Sequence, residues 1–163
     1  MNYEDIKLEE KVILDNRIKI LIPKELKEME ESLVHQKYSS AMRPELILLN
    51  ESGSLDFKFN FFNQNTNEEL LEELCSAVKD NIKKVYTSIT FYEEGSIKID
   101  NKKLVWFDFS NNALGGKVYN IMFYIIINNN ILNGSYSCLY DEAVTWRKVF
   151  FDSIESIREA FNS

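Results

Sequence analysis

The amino-acid sequence predicts an α+β fold. The expected architecture is a three-layer α/β/α sandwich on a mostly antiparallel sheet of six to eight strands, with a long helix after the first strands and a C-terminal helix. Three observations carry this. From residue 86 onward, side chains alternate with period two through consecutive runs, joined by links too short for helical crossovers. Before them, Leu71, Leu74, Cys75, Val78, Ile82 and Val85 recur at intervals of three and four, the apolar stripe of one helix. Finally, Tyr119, Ile121, Phe123, Ile125 and Ile127 share one face of a strand whose other face carries Val118, Met122, Tyr124 and Ile126. A strand apolar on both faces needs cover on both, which places it inside the sheet and demands a layer on each side.

The elements follow in order. Residues 17–22 set Ile18, Ile20 and Ile22 against Arg17 and Lys19, a half-buried strand stopped by Pro23. Residues 24–32 are short, charged and rich in helix formers, and predict a surface helical turn or two. Residues 45–50 form a second strand ended by Ser52-Gly53, and Leu55, Phe57, Phe59 and Phe61 gather on one face of a third. Thr66 with Glu69 makes a capping box for the long helix, whose acids at the start (Glu68, Glu69, Glu72, Glu73) and lysines at the end (Lys79, Lys83, Lys84) suit the helix dipole. The strands of the meander are expected at 87–92, 96–99, 102–110, 118–128 and 131–140, with turns at Glu93-Glu94-Gly95, Asp100-Asn101, 111–116 and the Asn128-Asn129-Asn130 cluster. In the tail, Ala143, Trp146, Phe150, Ile154, Ile157 and Phe161 return to helical spacing, and Asp152 with Glu155 predicts a fresh cap and a bend.

The 163 residues are expected to form a single domain over 1–163, since 45% apolar content fills one core and 28% charged content keeps its outside wet. With 5 Gly and 2 Pro, collagen-like and Pro/Gly-rich disordered chains are excluded. A net charge of -7 argues against nucleic acid as a partner. The acidic, amphipathic N-terminus lacks the pattern of a secretory signal, and the longest apolar run, 121–127, is far short of the ~20 residues of a membrane helix. The expectation is a cytoplasmic chain with no membrane association. Cys75 and Cys138, far apart and in apolar contexts, are expected to be buried reduced thiols.

Catalytic patterns are missing. His35 is the only histidine, falls in an expected loop or strand start, and has no patterned partner, so it reads as a bystander. Gly115-Gly116 precedes a strand rather than a helix and is no phosphate loop, and Gly-x-Ser-x-Gly and Cys-x-x-Cys are absent. No catalytic, cofactor-binding or metal-ligating residue is assigned, and no cofactor is expected. Asp108 interrupts the run Leu104-Val105-Trp106-Phe107, and stands either at the solvated end of its strand or poised for function. The sequence also carries two Trp, eight Tyr and eleven Phe, more aromatics than the core needs. Trp106, Tyr136 and Tyr140 in the meander, with Asp108, are the candidate partner-binding residues; the alternative packs the aromatics under a covering helix.

The order of elements resembles the PsbP-like superfamily, which includes a Ran-binding nuclear transport factor. Residues 18–23 are similar to that family's opening strand ending in Pro before a short acidic helix. Residues 55–61 resemble its early strand before a long helix, 119–138 its paired late strands, and 141–157, with Trp146, Phe150 and Ser153-Ile154, its closing segment. The resemblance implies an α/β/α sandwich and a mostly non-catalytic role, for the family's members bind Ran, serve photosystem assembly, or, in a bacterial branch, act as chaperone-adaptors for hydrophobic effector segments. The N-terminus has no thylakoid or lipoprotein leader pattern, so the photosynthetic and envelope roles are not expected, and no specific binding residue carries over. The expected function is a cytoplasmic protein-binding module, an adaptor or a chaperone of a hydrophobic partner segment, working as monomer or homodimer. The alternative is a small-molecule-binding protein or enzyme with a pocket near Asp108.

Overall fold

The computed structural model describes residues 2–39, 43–64, 66–86 and 88–160. In chain order its elements are β1 (Leu8–Ile13), β2 (Ile18–Pro23), β3 (Lys27–Glu28), α1 (Glu31–Lys37), β4 (Leu46–Leu49), β5 (Asp56–Phe62), α2 (Leu71–Val85), β6 (Thr90–Ile99), β7 (Lys102–Ala113), β8 (Gly116–Ile127), β9 (Asn130–Leu139), α3 (Ala143–Glu155) and β10 (Arg158–Glu159). Seven strands form one antiparallel sheet in the order β3-β4-β5-β9-β8-β7-β6. The doubly apolar β8 lies inside it, as predicted.

Each face of that sheet has its own cover. The stripe of α2 sets Leu71, Cys75 and Ile82 on Val105, Phe107, Phe109 and Tyr124. On the opposite face, Trp146, Phe150 and Ile154 of α3 meet Phe57, Phe123 and Tyr136, joined by Ile18, Ile20 and Ile22 of β2. Tyr136 stacks on Phe57 at 3.6 Å and meets Phe150 edge-on at 5.5 Å. Each such side chain contributes roughly 2–3 kcal/mol by leaving water. The three predicted layers are all present, and the third is part helix and part sheet, because β1, β2 and β10 form a separate three-stranded sheet beside α3. The sequence pattern hides β1: Glu9 and Lys11 share the inward face of Ile13 and pair with each other at 3.4 Å, so the strand reads as polar.

The hairpin turns follow residue chemistry. Asp100-Asn101 and Asn128-Asn129 each bridge directly paired strand ends with φ positive at both residues (50° and 67°, 52° and 65°), the two-residue turn that matches strand twist. Asn tolerates these angles and a β-branched residue does not. Asn129→Val is therefore expected to lower stability by about 1 kcal/mol and Asn129→Gly to leave it level or higher, read from urea unfolding.

Several local expectations are corrected. Residues 24–32 hold β3 rather than a helical turn, because Leu26 is buried and the Met29 N–H donates to Ile47 O at 2.9 Å, and α1 begins only at Glu31. His35 accordingly sits on a helix, not in a loop. The cap before α2 is Asn67, whose side chain accepts the Glu69 N–H at 3.0 Å ahead of a short turn at Glu68–Leu70, and Thr66 makes no such cap. β7 and β8 extend into the expected 111–116 turn as far as Ala113 and from Gly116. α3 runs unbroken through Asp152, whose carboxylate accepts the Tyr3 hydroxyl instead of capping a new turn. Thr87 and Phe161, assigned above to a strand and a helix, lie outside the described residues.

Burial pushes the thiols of Cys75 and Cys138 up to about 12. At pH 8 almost none of either thiol is then ionised. Ellman's reagent is expected to find essentially no reactive thiol in the native chain and both in guanidinium. Rapid native reaction of either would contradict this packing. Among the described residues no helix is long and apolar enough to cross a membrane.

Candidate binding surface

The surface begins with an irregularity in β6. Phe91 pairs with Phe109 and Glu94 with Phe107, so Tyr92 and Glu93 together stand opposite Asp108. One extra residue in an antiparallel ladder makes a β-bulge. Glu93-Glu94-Gly95 is therefore not the turn the sequence predicts: β6 continues through it. The side chain that stabilises the bulge is Asp108, whose Oδ1 accepts the Glu93 N–H at 2.8 Å. Its Oδ2 accepts the Tyr119 hydroxyl at 2.6 Å and Arg147 Nε at 3.3 Å. At 2% exposure Asp108 is not at a solvated strand end. Its charge is tolerated there because three donors replace water. Burial, and then the bond to Asp108, push the Tyr119 hydroxyl pKa upward, so it remains a donor at neutral pH.

Arg147 carries this buried anchor to the surface. It leaves α3 above β7, reaches Asp108 with Nε, and places Nη2 3.5 Å from Glu93 Oε1. Its guanidinium carbon stands 5.0 Å from the Phe151 ring centre and 5.6 Å from that of Trp106. The two rings meet edge-on at 4.9 Å. Gly95, paired with Trp106, provides room for the indole: a Cβ there would stand 3.3 Å from Trp106 Nε1. Along the outer face of α3, Val144 is 83% exposed and lines a shallow groove of about 570 Å³ with Tyr3, Arg147, Phe151, Asp152 and Glu155. Half-buried aromatics around an immobilised arginine are the side chains that anchor protein interfaces, because little further ordering is needed on contact.

The structure separates the four predicted residues. Trp106 and Asp108 come together in this cluster, one half-buried at its surface and the other beneath it. Tyr136 belongs to the core: it is 0% exposed under α3, with its hydroxyl 2.9 Å from Ser153 Oγ, and offers a partner no surface. Tyr140 is 38% exposed but far along the sheet, with the Lys117 ammonium 3.8 Å above its ring. Trp106 pairs with Phe123, whereas Tyr140 follows the Val118–Leu139 pair. His35 is on α1, 3.6 Å from Glu31, in a hollow beside β3 and β4 on the other side of the sheet from β7, so it shares no site with Asp108. Arg147, Phe151 and Glu93 escape sequence reasoning. The helical period places Trp146 inward, which puts Arg147 on the rim, but only the bulge brings Glu93 to it.

No protein-family model matches the chain, and no curated protein matches it by sequence. Solved structures do match in fold. The solution structure of cyanobacterial PsbP (CyanoP) from Synechocystis superposes with a TM-score of 0.68 at 7% identity, covering 94% of this chain and 93% of that one. LpqN of Mycobacterium tuberculosis, described as involved in cell envelope biogenesis, gives 0.65 at 11% identity, covering 96% and 92%. The Ran-binding protein Mog1p of Saccharomyces cerevisiae gives 0.60 at 7% identity, covering 94% and 96%. At these identities the likeness shows the fold alone: the chain shares the fold of cyanobacterial PsbP, LpqN and Mog1p.

Proposed function

We propose that this chain is a non-catalytic, cytoplasmic protein-binding module, a single domain acting as an adaptor or as a chaperone of a hydrophobic partner segment. Its partner is held on the surface of α3 and β7 around Trp106, Arg147, Phe151 and Val144. The observation that carries this reading is the use made of Asp108. Its carboxylate is committed to three donors, and what it supports on the outside is an arginine held against two aromatic rings. The likeness to Mog1p, named as Ran-binding, adds support, since the same fold there serves a protein partner.

Affinity capture from host lysate tests the reading. The baits are the native chain, Val144→Asp on this surface, and Val85→Asp on α2, a position 71% exposed and remote from it. Proteins retained by the native chain and by Val85→Asp are expected to fall at least tenfold with Val144→Asp. Equal retention by all three would remove this surface from consideration.

A further inference from the structure

The two sheets expose strand edges, and these edges are not alike. β6 is interrupted by its bulge and carries Glu93, Glu94 and Lys98, features that resist pairing with another strand. β3 and β10 are two residues long. Beyond β10, the outer side of β2 is closed by Ser156, whose Oγ accepts the Leu21 N–H at 2.8 Å. β1 is different: six residues without a bulge or proline, at the rim of the three-stranded sheet.

The register states which of its backbone groups are free. The Lys24 N–H donates to Lys7 O at 2.8 Å, and Pro23, paired with Leu8, has no N–H to give. Antiparallel pairs alternate, so Glu9, Lys11 and Ile13 bond to β2 while Leu8, Glu10 and Val12 direct N–H and C=O away from it. Among the described residues nothing bonds to those outward groups. On the inner side of this edge a cleft of about 420 Å³ opens between the two sheets, lined by Ile13, Asp15, Glu28, Glu45, Leu46 and Leu48 among others. Two cations at its margin are already engaged, Lys11 with Glu9 and Arg17 with Glu45. Asp15 and Glu28 make no ion pair among the described residues.

We propose that the β1 edge accepts an extended, basic segment of a partner protein as an added strand. Its backbone completes the hydrogen bonds of Leu8, Glu10 and Val12. Its inward side chains, opposite Lys11 and Ile13, enter the cleft, where alternate apolar residues meet Leu46 and Leu48 and a Lys or Arg meets Asp15 and Glu28. Main-chain bonding supplies the affinity of such added strands and side-chain pockets the selectivity. This surface is distinct from that on α3, and either can fail without the other.

The test is amide hydrogen exchange on the full chain, with two blocked hexapeptides as probes, Thr-Val-Thr-Lys-Thr-Val and Thr-Val-Thr-Glu-Thr-Val, whose second, fourth and sixth side chains share the inward face. The Leu8, Glu10 and Val12 amides are expected to exchange fast in the free protein and at least tenfold more slowly with the basic peptide. The acidic peptide leaves them unchanged. Val12→Pro removes one edge donor and abolishes the effect. Asp15→Asn with Glu28→Gln, two exposed positions that spare the fold, weakens basic-peptide binding about tenfold. The proposal is overturned if these amides are already protected in dilute protein, if neither peptide or both peptides slow them, or if protein concentration alone protects them, which would mean self-pairing.

Discussion

Asp108→Ala is expected to lower stability by about 3 kcal/mol, among the largest losses available to a single polar substitution in this chain. The cost comes from what is left behind. The Tyr119 hydroxyl and the Glu93 N–H both lose their acceptor, and Tyr119 is 4% exposed, so water cannot replace it. Each unsatisfied buried donor costs roughly 1–3 kcal/mol. Arg147, on the solvent side, recovers water and adds little. Asp108→Asn keeps one acceptor for Glu93 but sets an amide against Arg147, and is expected to fall between. Urea unfolding measures the loss, and amide exchange at Glu93 locates it. A loss below about 1 kcal/mol, with Glu93 still protected, would show that the bulge persists without its carboxylate.

Gly134→Ala is the second large effect, again about 3 kcal/mol, and its cause is room rather than backbone freedom. Gly134 of β9 pairs with Phe123 of β8, and the Phe123 ring lies across it. A Cβ at residue 134 falls within 2.8 Å of three carbons of the Phe123 ring, far inside contact distance. The ring cannot swing aside, since Phe123 is 0% exposed and meets Tyr136 edge-on at 5.3 Å. Relief must come from strand separation or from displacing Tyr136, whose stacking on Phe57 organises the core. Phe123→Leu in the same chain is expected to recover part of the loss, so the double variant is less destabilised than the two single losses combined. A Gly134→Ala chain unfolding at the native urea midpoint would contradict this packing.

Much of the architecture was legible because periodicity is physical: β8 is apolar on both faces and lies inside the sheet, and the α2 stripe packs where its period points from Leu71 to Ile82, leaving only Val85, at the helix end, exposed. The losses share one cause, residues whose local chemistry was overruled by a distant partner. Glu93-Glu94-Gly95 has the composition of a turn, but Asp108, fifteen residues on, accepts the Glu93 N–H and keeps the strand going. Asp152 with Glu155 looks like a cap, but Tyr3 donates to Asp152 from the other end of the chain. β1 reads as polar because its inward charges neutralise each other. The candidate surface was half legible for the same reason. Trp106 and Asp108 stand out as an aromatic and an acid within one apolar run, whereas Arg147 gains its role only when α3 folds over β7. Tyr136 looked like Trp106 in sequence, and strand parity alone does not say that α3 covers it.

In the cell, the surface over Asp108 is expected to hold a protein. A photo-reactive benzoylphenylalanine at position 144, with a matched probe at position 85 on α2, tests it in living host cells. The expected result is a discrete crosslinked adduct from position 144 and none from position 85, with the adduct at 144 lost when Arg147→Glu is introduced. Adducts of equal strength from both positions, or from position 85 alone, would contradict the account.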